Sequence, residues 1–134
     1  MDNFSPLSLE ASTQLLKALS DDSRLRIMHL LLHKTEMCVS DLELILDFTQ
    51  TKTSRHLTYL RNARLVNGRK LDQRTFYRIT EELIPFMEHV FAYVNKEDPV
   101  LRKDLETYQI LYATEELAIS RLHKKRWESE RENS

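Results

Sequence analysis

A chain of 134 residues, 41% hydrophobic and 31% charged, is long enough for one domain with an appendage and apolar enough to fill a modest core. One glycine and three prolines argue against sandwiches, barrels and phosphate-cradling loops, which depend on glycine-bearing turns; one cysteine excludes an intrachain disulfide and a cysteine-only zinc finger. The formal charge of −1 hides a cationic block: residues 50–78 carry 8 basic side chains against Asp72 alone, or +7, between flanks 1–49 (4 basic, 8 acidic) and 79–134 (8 basic, 12 acidic) that are each −4.

In chain order, residues 8–19 read as a helix with Leu9, Leu15, Leu16 and Leu19 as its apolar positions. Ser20-Asp21-Asp22 has the form of a helix start, with acids at the positive end of the dipole, and a nearly apolar helix follows through Arg24–Leu32. Ser40 and Glu43 have capping-box spacing, with Val39 and Leu44 as a hydrophobic staple around a short helix. Thr49 caps a second helix, Gln50 to about Arg64, after a turn in which Asp47 tolerates an unusual backbone; the pair has helix-turn-helix dimensions. Residues 66–71 and 74–79 read as two short strands around an Asp72-Gln73 turn that lacks the usual glycine, and the one glycine, Gly68, falls in this hairpin. A helix over 80–94, flawed by Pro85, precedes a polar break at 95–99. A long helix is then expected over 100–127, where Leu101, Leu105, Tyr108, Tyr112, Ile119 and Leu122 form a heptad seam interrupted by Glu115, before a polar tail.

The fold class expected is therefore mainly α: a winged helix-turn-helix over 1–95 with a short β-hairpin wing, and a C-terminal helical extension over 96–134. No apolar run approaches the ~18 residues of a membrane span, and the opening Met1–Ser5 lacks the form of a leader, so a cytoplasmic protein without a membrane partner is expected.

At 100° per residue, Thr53, Leu57, Leu60 and Ala63 fall on one side of the 50–64 helix and Thr51, Lys52, Arg55, Tyr59 and Asn62 on the other. The outer side offers groups suited to phosphates and base edges, with Arg55 able to pair with guanine and Gln50 with adenine in a major groove. Arg69, Lys70 and Arg74 on the hairpin add cations beside it. A solvated charged face is the plain alternative, but the cationic block coincides with the helix-turn-helix, and double-stranded DNA is the expected partner.

Several motifs carry a resemblance. Leu16-Lys-Ala-Leu-Ser-Asp-Asp-Ser-Arg-Leu-Arg-Ile27 resembles the opening of ArsR/SmtB-type winged-helix repressors. Gln50-Thr-Lys-Thr-Ser-Arg-His-Leu57 with Leu60-Arg61 and Leu65-Val66 resembles their recognition helix, and Arg74 with Phe76-Tyr77-Arg78 their wing. The resemblance covers roughly residues 10–92. It implies a homodimer repressing from an inverted-repeat operator, and it marks Gln50, Thr51, Thr53, Ser54, Arg55 and His56 as recognition-helix candidates, with His56 equally suited to a structural hydrogen bond. It also implies that Phe86, Val90 and Tyr93, on the last family helix, serve dimerisation. The heptad seam has two readings, an interface with a second copy or a fold-back on its own domain; the interface is the one expected, with Leu101, Leu105, Tyr108, Tyr112, Ile119 and Leu122 at it and residues 96–134 as a dimerisation element.

The family's arsenic sensors carry Glu-Leu-Cys-Val-Cys-Asp-Leu where this chain has Glu36-Met-Cys-Val-Ser-Asp-Leu42; one thiol is too few for a soft metalloid. His29, His33 and Cys38 are an alternative zinc set, with the histidines on the polar side of their helix. Glu88, His89 and His123 are weaker ligand candidates. Otherwise no metal, cofactor or catalytic set is expected, and the sequence names no effector. The rival function is a helical protein-interaction module that keeps the winged-helix shape.

Overall fold

The computed structural model describes residues 5–133; residues 1–4 of the opening read for a leader, and residue 134, lie outside it. Helix α1 spans Leu9–Leu19 and α2 Asp22–Lys34; strand β1 spans Glu36–Cys38; α3 covers Val39–Leu46 and α4 Gln50–Asn62. Strands β2 (Val66–Leu71) and β3 (Arg74–Ile79) follow, then a 3₁₀ turn at Glu81–Leu83, α5 (Ile84–Ala92), α6 (Pro99–Ala113) and α7 (Ala118–Glu132). No helix among the described residues is long and apolar enough to cross a membrane.

Local chemistry explains most boundaries. Ser8, Asp21 and Thr49 each accept a backbone N–H of the helix they precede, at 3.1, 3.0 and 3.1 Å. Asp47, between α3 and α4, takes the left-handed conformation at φ 57°. The Asp72-Gln73 turn has positive φ at both residues, 50° and 70°, the geometry that suits the twist of a two-residue hairpin although neither is glycine. Gly68 is required by space: a Cβ there would lie 2.6 Å from Thr75 Cγ2.

The core is centred on α2. Ile27, Met28 and Leu30 are fully buried and meet Leu42 of α3, Leu57 and Leu60 of α4, Phe76 of β3 and Met87 of α5 in one cluster. The strands form one antiparallel sheet in the order β1-β3-β2, with Cys38 opposite Phe76 and Gly68 opposite Tyr77. Nothing in the local sequence marks β1, because three residues become a strand only through a partner some forty positions away.

The structure corrects several expectations. Ser40 is not the cap of α3: Cys38 holds that position without a side-chain cap bond, and Ser40 Oγ instead accepts from Arg74 Nη1 at 2.9 Å. Leu44, the expected staple, is 53% exposed. Pro85 lies in the first turn of α5 and starts the helix, since its missing N–H would have had no partner there.

The largest correction concerns the single helix expected over 100–127. It is two helices, broken at residues 114–117, where Glu115 turns left-handed at φ 60°. Neither glycine nor proline marks the break. It places Leu117, Ala118 and Ile119 in the core, and that burial outweighs the local conformational cost. The seam residues therefore pack on their own chain: Leu101, Tyr108 and Ile119 are buried, and Leu105, Tyr112 and Leu122 are partly buried against the core. α6 lies on α2 and α3, and α7 on α3 and β1. Of the α5 candidates, Phe86 and Val90 are partly buried and Tyr93 is 90% exposed.

Candidate nucleic-acid interface

The 50–64 segment has the two-sided character its spacing predicts. Leu57, Leu60 and Ala63 face inward and are buried, while Gln50, Thr51, Arg55, Tyr59 and Asn62 face solvent, with Lys52 and Ser54 partly covered at the edges. Two of the seven expected contact residues on this helix are placed differently. Thr53 is fully buried, and its hydroxyl donates back to the Thr49 carbonyl at 2.8 Å, so it belongs to the anchor of α4. His56 is 7% exposed, and its Nδ1 lies 3.4 Å from Arg24 Nη1, so it fastens α4 to α2.

Arg24 makes that fastening firm. Its Nε donates to the Ala18 carbonyl at 2.7 Å, and its guanidinium lies 4.1 Å from the Tyr59 ring centroid on the outer side of α4. One side chain thus ties α1, α2 and α4 together and holds the exposed face at a fixed angle. On the other flank, the Phe48 ring receives Lys52 Nζ at 3.9 Å and the Arg26 guanidinium at 5.2 Å. Each such contact contributes about 0.5–1 kcal/mol at exposed sites.

The wing is less cationic than its sequence. Arg69 donates Nη2 and Nε to the two Glu36 oxygens at 2.8 and 3.1 Å, a bidentate bridge from β2 to β1 that pairs its charge although the side chain stays 44% exposed. That bridge holds the Glu36 carboxyl below its ordinary range. Arg74 is exposed and directed by Ser40. Arg55 and Lys70 are exposed and form no ion pair within 4 Å among the described residues. Of the expected contact residues, the unpaired cations offered outward are Arg55, Lys70 and Arg74, with Lys52 at the edge. Sequence reasoning missed the neutralisation because Glu36 lies 33 residues from Arg69.

The structure does not assemble the proposed metal sets. No group of three or more His, Cys, Asp or Glu side chains comes together to hold an ion among the described residues, so His29, His33 and Cys38 do not converge, nor do Glu88, His89 and His123. Cys38 is 3% exposed, with its sulfur 3.2 Å from the Ser40 hydroxyl, a placement that does not suit a metalloid requiring several thiolates. His123 Nδ1 is instead 2.8 Å from the Tyr112 hydroxyl.

His29 is not on a solvated face: it is 7% exposed, edge-on to Phe91, and its Nδ1 has no hydrogen-bond partner. Burial, then the neighbouring His33, lower its pKa, and burial lowers that of His56. Both are harder to protonate in the fold than in the unfolded chain. Below about pH 6.5 the unfolded chain binds protons that the folded chain does not, so stability falls with pH until the depressed pKa values are passed. Chemical denaturation should give a lower midpoint at pH 5.5 than at 7.5, and His29→Leu should flatten that difference. A midpoint unchanged across this range would contradict the assignment. Glu36 titrates with the opposite sign: its contribution to stability is fully present above about pH 4.5, the ordinary glutamate range, and is lost only as pH falls from there through the depressed folded value.

Comparison with known proteins fits this geometry. The model of the family described as "Bacterial regulatory protein, arsR family" matches residues 21–68, from the start of α2 into β2. The chain is 40% identical over 63 residues to the cadmium resistance transcriptional regulatory protein CadC of Listeria innocua, covering 47% of this chain and 53% of that one. It is 35% identical over 82 residues to the arsenical resistance operon repressor of Bacillus subtilis, covering 61% and 78%. Among solved structures, HlyU from Vibrio cholerae superposes with a TM-score of 0.58 at 34% identity, covering 63% of this chain and 92% of that one. The match thus spans about half the length of the cadmium-resistance relatives.

Proposed function

The chain belongs to the bacterial ArsR family of regulatory proteins, and from that premise we propose that it regulates transcription as a homodimeric repressor at an inverted-repeat operator. The observation that carries the reading is the outer face of α4: Gln50, Thr51 and Arg55 stand exposed on a helix whose other face is locked into the core. α4 enters the major groove and the β2–β3 hairpin braces beside it. Arg55 and Gln50 read base edges, while Lys52, Lys70 and Arg74 meet phosphates. Cys38 alone does not reproduce a paired-thiol sensor, so this regulator works without one.

The dimer places two such faces about one helical turn apart. Its surface is drawn from apolar side chains on helices that flank α2: the exposed Leu9 and Leu16, two turns apart on α1, and Tyr93 after α5, with the partly buried Phe86 and Val90 of α5.

Selection of genomic fragments by the purified protein tests the reading. It should recover a two-fold symmetric site. With about four phosphates neutralised per protomer, the slope of log K against log[salt] should be roughly −7. Arg55→Ala should cost about 1–3 kcal/mol at the preferred sequence and relax selectivity, whereas Lys70→Ala should weaken binding to all sequences alike. A flat salt response, or recovery of a protein partner with unselective DNA binding, would favour the interaction-module alternative.

A further inference from the structure

The family match ends at residue 68, and α7 lies well beyond it. The helix packs on β1 and α3, beside the wing. Its first turn is buried, and Ala118, Arg121, Leu122 and Lys125 form a stripe at i, i+3, i+4 and i+7. That stripe faces Leu71, Asp72, Arg74 and Phe76 across an open cleft of about 180 Å³. Lys125 Nζ comes within 3.8 Å of Asp72 Oδ2, in the turn at the tip of the hairpin. A rise of 1.5 Å per residue carries Lys125 about 10 Å beyond Ala118, so α7 extends outward beside the hairpin to its tip.

The charge on this stretch has one sign. Residues 118–127 contain Arg121, Lys124, Lys125 and Arg126 and no acid; Glu128, Glu130 and Glu132 follow in the last turns. Lys124 is engaged by Glu115 at 2.9 Å, and Arg121 Nη1 donates to the Glu115 carbonyl at 3.0 Å. Around the cleft, Arg74, Arg121 and Lys125 set three cations against the single acid Asp72. Such an excess, flanking the tip of a hairpin, suits a chain of regularly spaced anions. A hairpin that reaches a duplex brings α7 to the same backbone.

We propose that α7 is a second DNA-contacting element, placing Lys125 and Arg121, across the cleft from the wing's Arg74, against the phosphodiester backbone outside each half-site. The contact is independent of base sequence and lengthens the footprint beyond what α4 and the wing reach. It rests on the DNA-binding reading above.

The test compares a duplex of about 40 bp carrying the selected operator at its centre with one of about 20 bp trimmed to the two half-sites. On the longer duplex, Arg121→Gln/Lys125→Gln should make the salt slope shallower by about 3.6, from two phosphates per protomer, with base preference unchanged. On the trimmed duplex the variant and the wild type should converge. Asp72→Asn, which tolerates the left-handed backbone at that position, should tighten binding to the longer duplex. If Lys125 only braced the wing through Asp72, Lys125→Gln and Asp72→Asn would weaken binding alike, and that result would overturn the proposal. So would a wild-type slope in the double variant. Failure of the underlying reading looks different: the wild type itself would show no salt-dependent binding, and Arg55→Ala would leave selectivity untouched.

Discussion

Asp41→Ala is expected to lower the unfolding free energy by about 3 kcal/mol and to release α7 from the domain. Asp41 is 1% exposed in the first turn of α3, and its two oxygens accept the backbone N–H groups of Ala118 and Ile119 at 2.6 and 3.0 Å. Leu117, the residue before α7, supplies no side-chain cap, so this carboxylate from another helix does that work and sits at the positive end of the α7 dipole. Its removal leaves two buried donors unpaired, at about 1–3 kcal/mol each. Trp127, the chain's single tryptophan, lies on α7 and is 55% exposed. Its emission should change at denaturant concentrations below the global transition in the variant and together with it in the wild type. Asp41→Asn should recover part of the loss, because one carbonyl oxygen remains to accept. Coincident transitions at wild-type stability would show that α7 is held by its apolar turn alone.

What the sequence disclosed and what it concealed divide by range. The caps at Asp21 and Thr49, the left-handed Asp47 and the two faces of α4 are consequences of neighbours within a turn or two, and all were readable. So was the hairpin, whose strands match the expected 66–71 and 74–79. Interactions across the chain were not. The heptad spacing through Glu115 is real, yet a helix packed on its own domain and one paired with a second copy demand the same apolar period. Only Asp41, 77 residues from Ala118, reveals where the helix must stop. The cationic block shows the same limit: summing charges gave +7, but Arg69 is neutralised by Glu36. In the other direction, Arg121 and Lys125 belong to the wing's surroundings although a charge count along the chain assigns them to an acidic flank.

Asp104→Ala should cost about 3 kcal/mol, and its effect should reach the DNA-facing helix. Asp104 of α6 is 2% exposed and accepts both Nε and Nη2 of Arg26 at 2.9 Å, a bidentate pair between α6 and α2 that raises the arginine's pKa. Without Asp104 the guanidinium is left charged and mostly covered, its side chain only 25% exposed. Loss of one partner from such a pair is far more costly than loss of both. Arg26→Met/Asp104→Leu should therefore recover most of the stability that Asp104→Ala removes. The Arg26 guanidinium also lies over Phe48, whose ring supports Lys52 in the first turns of α4. The restored double variant should consequently regain stability while still binding operator DNA more weakly than the wild type, because the apolar replacement supplies no cation to steady Phe48. Thermal unfolding and titration on the same preparations separate the two quantities. If affinity returned in step with stability, the path from α6 through Arg26 and Phe48 would carry no setting of the recognition helix, and Asp104 would act on the fold alone.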